Sequence, residues 1–293
     1  MLNSDKSSSL AREESIESQF FLSGLYIGVV LLFVGAWFQS PPCKDCFLNL
    51  YTNIYLVVAF IGALLGFRKL LGFRRLQSFR QSISDPSYLS SAIFCFGLLL
   101  WSFGQMTWLI YNFALGVNVP YPSAADIGYI LNMICWTIGL LVMYKLAGTN
   151  PFQEIANIAP FVIAAWGGTG TVMLLARGGT LQNPPSDVLK FLLDIILPII
   201  DAFNLALLVP LFLGPLFNKF SRGMKIALSL ILLGTISNYV GDLGFSITTT
   251  TKTYYNGSWV DFAFATALWL WALGILFIPL TKQVNLNGDE SKT

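Results

Sequence analysis

The residues in this chain that could do chemistry are few, and most are carboxylates, amides and aromatics set inside apolar runs. Asp194 and Asp201 lie seven residues apart in KFLLDIILPIIDAFNLALLVPLFL, on nearly one face of a helix, with Asn204 one turn further on. Pro198 has no N–H to give to the carbonyl of Asp194, four residues back, and Pro210 leaves the carbonyl of Ala206 in the same position. A carboxylate-bearing helix with a free carbonyl suits a cation, a proton or a polar ligand. In an earlier run, Trp101, Gln105, Trp108 and Asn112 stand at i, i+4, i+7 and i+11 and form one stripe; Asn238, Asp242 and Phe245 form a similar stripe later. Two readings of these stripes stay open. One is hydrogen bonding between membrane helices; the other is a polar, aromatic cavity.

Other chemistry is excluded by what the sequence lacks. It contains no histidine. That removes the commonest metal and haem ligand, the usual proton carrier near neutral pH, and every Ser-His-Asp or Cys-His nucleophile system. No P-loop, nucleophile-elbow or zinc-protease motif occurs. We therefore expect a non-enzymatic protein, and the sequence names no cofactor. Gly167-Gly168-Thr169-Gly170 sits in an apolar run with no preceding strand and reads as close helix packing. Cys95 and Cys135 read as packing residues. Cys43 and Cys46 form a lone C-x-x-C, a weak metal signal, and are expected to face an oxidising side and form a local disulfide. A net charge of +2 is too small to suggest nucleic acid as a partner.

The elements that hold these residues follow from composition. With 55% hydrophobic and 11% charged residues, the chain departs from soluble domains toward membrane spans. Eight runs reach the roughly 20 residues a helix needs to cross a bilayer: 20–38, 50–67, 89–114, 124–145, 155–176, 189–213, 225–247 and 259–280. They are too long and continuous for barrel strands, so an all-α membrane bundle is predicted. A carboxylate within a span costs roughly 2.5–3.5 kcal/mol on insertion scales and is expected to face the bundle interior.

Lys and Arg set the orientation. With both termini cytoplasmic, thirteen of them fall inside and only Lys44, Arg177, Lys190 and Lys252 outside. The chain then divides into a cytoplasmic polar tail at 1–19, a first helical hairpin with a basic segment at 20–88, a six-helix bundle at 89–281 and a cytoplasmic tail at 282–293. Segment 67–80, FRKLLGFRRLQSFR, reads either as a basic cytoplasmic loop or as an interfacial helix on anionic headgroups. Asn256-Gly257-Ser258 is a glycosylation sequon on the expected outer side.

Two hairpins look alike. Trp101, Gly104, Gln105 and Trp108 lead to a turn with Tyr121 and Pro122, then to Asp126 at the next helix start. Asn238, Gly241 and Asp242 lead to a turn with Tyr255 and Gly257, then to Asp261. Duplication and convergence both explain the likeness. Capping of a helix N-terminus alone would account for both aspartates.

These residues also carry a resemblance. Gly104-Gln105, Pro120-Tyr121-Pro122-Ser123-Ala124-Ala125-Asp126 and Tyr129, with Asp201-Ala202-Phe203 and then Gly241-Asp242, Tyr255, Gly257 and Asp261, resemble the multi-helix membrane sensor regions found at the N-termini of prokaryotic diguanylate cyclases (GGDEF proteins) and histidine kinases. The likeness covers roughly 95–280. No GGDEF, EAL or kinase motif follows in this sequence, so the resemblance implies a sensor-like module standing without an output domain. It implies the plasma membrane of a prokaryote and names no ligand.

The combined expectation is three related helical hairpins plus an N-terminal hairpin. In its outer half, Trp101, Gln105, Trp108, Tyr121, Asp126, Asp194, Asp201 and Asp242 would converge on a small ligand, lipid or pigment. Membrane lipids, a membrane-protein complex or a second copy are the expected partners. The alternative is a small secondary transporter using Asp194 and Asp201.

Overall fold

The computed structural model describes residues 2–38, 43–74, 79–117, 119–149, 155–176, 188–213 and 216–280. Among them there is no strand, and the protein is all-helical. Seven helical stretches are long and apolar enough to cross a membrane: Ile16–Gly35, Asn49–Arg74, Pro86–Ala114, Ala125–Leu146, Val188–Phe212, Arg222–Thr250 and Trp259–Phe277. The eighth expected run is helical too, but its described apolar stretch, Ala159–Leu174, is shorter.

The elements in chain order are α1 (Leu2–Trp37), α2 (Cys43–Ile54), α3 (Leu56–Arg74), α4 (Phe79–Ser84), α5 (Pro86–Leu109), α6 (Ala125–Leu146), α7 (Ile155–Ala176), α8 (Val188–Leu213), α9 (Leu216–Lys219), α10 (Arg222–Thr250) and α11 (Trp259–Phe277). Local chemistry explains several boundaries. Asp85 accepts from Ser87 N ahead of Pro86, a residue suited to a first helical turn, and so starts α5. Ser221 caps α10 through Met224 N. A Ser258–Asp261 capping box opens α11. Gly148, at φ 69°, closes α6 in the left-handed conformation that glycine tolerates.

Three local expectations are corrected. The polar stretch read as a tail is helical, and α1 runs unbroken from Leu2; its Ala, Leu, Glu and Arg content favours helix. The expected span at 50–67 is broken at Tyr55, between α2 and α3. The glycines of Gly167-Gly168-Thr169-Gly170 are exposed and meet no neighbour, so they do not mediate close packing among the described residues; Thr169 alone turns inward, to Tyr239. The side chains of Cys43 and Cys46 lie outside the described residues, as do residues 75–78 of the basic segment.

The centre of the bundle is a pair of hairpins, α5–α6 and α10–α11, in matching register. Gly97, Trp101, Gly104, Gln105 and Trp108 fall at the places of Gly234, Asn238, Gly241, Asp242 and Phe245, an offset of 137 residues. Ser123, Asp126, Tyr129, Trp136 and Gly139 fall at the places of Ser258, Asp261, Phe264, Trp271 and Gly274, an offset of 135. The contacts repeat as well. Gly104 packs on the ring of Tyr129, and Gly241 on that of Phe264. Gly139 faces Phe94, and Gly274 faces Ile231, the residue in the same register. The equivalent Trp136 and Trp271 stack on one another, centroids 4.3 Å apart. A third hairpin, α7–α8, carries Asp194 at the matching place, so Asp126, Asp194 and Asp261 recur at intervals of 68 and 67 residues. The first hairpin wraps this core, with α3 against α5 and α11, and α1 against α11.

Candidate functional site

The repeat-related turns 115–124 and 251–258 meet at one end of the bundle, and a cavity lies beneath them. Five pairs of equivalent residues supply most of its wall. These are Trp101 with Asn238, Gln105 with Asp242, Trp108 with Phe245, Asp126 with Asp261, and Tyr129 with Phe264. Tyr55, Met133, Leu197 and Tyr254 complete it. The spacing explains why so few residues define it. Positions i, i+4 and i+7 share one helix face, so α5 and α10 each present three residues to the same space. The cavity has a volume of about 40 Å³, room for roughly two to four waters or one small polar group.

Buried polar groups line it in two clusters. In the first, Asp261 accepts from Thr52 Oγ1 (3.1 Å), Tyr55 OH (3.4 Å), Tyr254 OH (3.1 Å), Gly257 N (2.7 Å) and Ser258 N (3.2 Å). Gln105 joins the same network. Its Oε1 accepts from Tyr129 OH at 2.8 Å and Tyr55 OH at 3.4 Å, and its Nε2 donates to Thr52 O at 2.6 Å. Burial, then the nearby Asp261 carboxyl, pushes the Tyr254 phenol above its ordinary range, so it stays a donor.

The second cluster joins α8 to α10. Asn238 Nδ2 donates to Asp201 Oδ2 at 2.7 Å and Asp242 Oδ2 at 3.1 Å, so one amide bridges two carboxyls. Its Oδ1 is buried and accepts nothing. The amide orientation is fixed by chemistry, because the opposite one would turn that oxygen onto two carboxyl oxygens.

The eight residues singled out in the sequence are placed as follows. Trp101, Gln105, Trp108, Asp126 and Asp242 line the cavity. Asp201 is fully buried one hydrogen bond behind it, through Asn238. Asp194 and Tyr121 stand to one side. Tyr121 OH donates to Asp194 Oδ1 at 3.0 Å, and Lys190 Nζ pairs with Oδ2 at 2.9 Å, so this carboxyl already has its counter-ion. Lys190 also lies over the Tyr121 ring, 5.1 Å from its centroid. The Tyr121 ring packs edge-on against Phe245, which in turn meets Tyr254. Burial raises the Tyr121 phenol above its usual range, with Asp194 adding to the effect. Asp126 accepts from Ser123 N at 2.6 Å, so it caps α6 and faces the cavity at once.

The carbonyl of Asp194, freed by Pro198, accepts from Ser246 Oγ at 3.2 Å and is used for packing. Asn112 drops out of its stripe. A π-helical turn, Ile110–Ala114, begins after Leu109 and rotates the following residues away from the cavity face.

Sequence reasoning passed over Tyr55, Tyr129, Tyr254 and Phe264 as site residues. The register of the repeat would have flagged Tyr129 and Phe264 as equivalents beside Gly104 and Gly241. No sequence signal points to Tyr55, which comes from the hairpin read as an appendage. Comparison with family models, with curated proteins and with solved structures returns no match.

Proposed function

We propose that the chain is a non-enzymatic, sensor-like integral membrane module that binds a small ligand between its two matched hairpins. The observation that carries this reading is the cavity at the repeat interface, where equivalent residues from α5, α6, α10 and α11 converge. Repeat interfaces are common ligand sites in membrane bundles. The Lys/Arg asymmetry places the cavity end outward and both termini in the cytoplasm of a prokaryotic cell, with the plasma membrane as host. We also read α7 as an eighth crossing, and segment 67–80 as a contact for anionic lipid. The likeness to sensor regions of diguanylate cyclases and histidine kinases supports signalling to a partner in the membrane or to a second copy.

A screen of small solutes by thermal unfolding in lipid nanodiscs tests the binding reading. The expected result is a solute that raises the unfolding midpoint of the natural chain but not of Trp108→Leu or Asp242→Asn, while Asp85→Asn, altered at the α5 start, responds normally. Solutes that shift all four alike would refute the site.

The Asp201–Asn238–Asp242 arrangement favours a second reading, a small transporter using intramembrane carboxylates. It predicts solute flux in proteoliposomes that is lost on Asp201→Asn. The binding module predicts no flux with either chain.

A further inference from the structure

The contents of the cavity wall select among ligand classes. We propose that the cavity takes a protonated primary amine carrying a short apolar body, an inference that rests on the binding reading above.

Three independent features lead there. First, the wall holds the carboxyls of Asp126 and Asp242 and no Lys or Arg. Asp261 also lies there but is engaged by five donors. An anion would meet uncompensated repulsion, whereas a cation would neutralise charge that the protein leaves without a basic partner in the cavity. Second, Asn238 is 1% exposed, yet its Oδ1 has no hydrogen-bond partner. A buried acceptor left unmade costs about 1–3 kcal/mol, and an N–H donor in the cavity recovers it. Third, rings form the remaining wall, with Trp101 and Phe264 below and Trp108 and Phe245 toward the turns. Ring faces attract ammonium groups and pack against a short alkyl chain.

Competing guests fit worse. Among the described residues no group of three or more Cys, Asp or Glu is placed to hold a metal ion, and aromatic walls supply no ligands for one. A quaternary ammonium has no N–H for Asn238 Oδ1. A neutral alcohol can donate to Asn238 but leaves the carboxyls uncompensated. The cavity size suits an ammonium head, with the alkyl body displacing Trp108 or Tyr254, which touch only edge-on.

A primary ammonium can belong to a free amine or to an aminolipid headgroup, and the test separates them. Binding of propylammonium would be measured by calorimetry and thermal unfolding in phosphatidylcholine nanodiscs, beside propan-1-ol and propionate. The expected result is saturable propylammonium binding with no saturable binding of the other two. Trp108→Leu should weaken it about tenfold, the worth of one desolvated cation–π contact. Asn238→Leu should weaken it comparably. Should Asn238→Leu fail to fold, Phe245→Leu replaces it with the same expectation. Loss of propylammonium binding on moving to phosphatidylethanolamine discs would assign the site to the headgroup, and unchanged binding would assign it to a free amine. Propan-1-ol binding as well as propylammonium, both lost in Trp108→Leu, would overturn the amine and leave the cavity reading intact. No saturable propylammonium binding, or binding unchanged in Trp108→Leu, overturns the amine outright. The cavity reading would then stand or fall on the solute screen.

Discussion

At the scale of single residues, the three repeated aspartates share a position and differ in what they do. Asp261 accepts five hydrogen bonds, from α2, from the α2–α3 break, from the turn before α11 and from its own helix start. Asp126 accepts from one backbone N–H and faces the cavity. Asp194 is neutralised by Lys190. Asp261→Ala would leave several buried donors unmade and should cost about 3 kcal/mol or more. Asp126→Ala removes a cap contact and should cost about 1 kcal/mol. Equilibrium unfolding of both variants in the same detergent checks the order, and equal losses would contradict this division of labour. The inward direction of these carboxyls was legible in the sequence, because lipid exposure is so unfavourable. Their partners were not. Thr52 and Tyr55 lie more than 200 residues from Asp261, and neither has a spacing that announces the contact.

At the scale of elements, the helices were readable to within a few residues because each is a long apolar run with a polar boundary. What the runs conceal is how their ends are fastened. Lys69 was read with the basic segment 67–80, yet its Nζ turns inward and donates to the carbonyls of Ile275, Leu276 and Ile278. A cation at the last turn of α11 satisfies carbonyls that have no partner within the helix and opposes the negative end of its dipole. Lys69 therefore straps α3 to α11. Lys69→Met should cost about 3 kcal/mol, with amide exchange accelerated first in residues 272–278. Uniform acceleration over the whole chain would argue against a strap.

The hairpins are fastened differently, by glycines against rings. Gly139 and Gly274 each sit where a larger side chain would strike the facing helix. Gly139→Val and Gly274→Val should each destabilise by about 1–3 kcal/mol through overpacking, measured by thermal unfolding. The same change at Gly168, which meets nothing, should stay within about 0.5 kcal/mol. This contrast also shows why the glycine run in α7 misled. Composition tells that a helix can be approached closely, while only the arrangement of the other helices tells whether one does so.

At the scale of the whole molecule, the matched hairpins constrain topology. The turns 115–124 and 251–258 share one end of the bundle, where Trp108 meets Tyr254 edge-on and Tyr121 meets Phe245. The chain leaves that end along α6 and returns to it along α10. Between them it must therefore cross an even number of times. α8, at 26 residues, spans about 39 Å and is one crossing. Parity then asks for a second, and α7, at 22 residues, reaches about 33 Å against a hydrocarbon core of roughly 30 Å. Pro160 and the exposed glycines make α7 the least regular of the set, which is why its apolar stretch measures short. With α7 crossing, the total is eight and both termini face the same side. Without it, the total is seven and they face opposite sides. Single cysteines at Asp5→Cys and Glu290→Cys, in a chain with its four cysteines replaced by serine, decide the matter in intact cells. Both should resist an impermeant thiol reagent, and Thr253→Cys in the turn over the cavity should react. Labelling of one terminus but not the other would remove α7 from the membrane. It would also break the parity that sets the two hairpins side by side around one site.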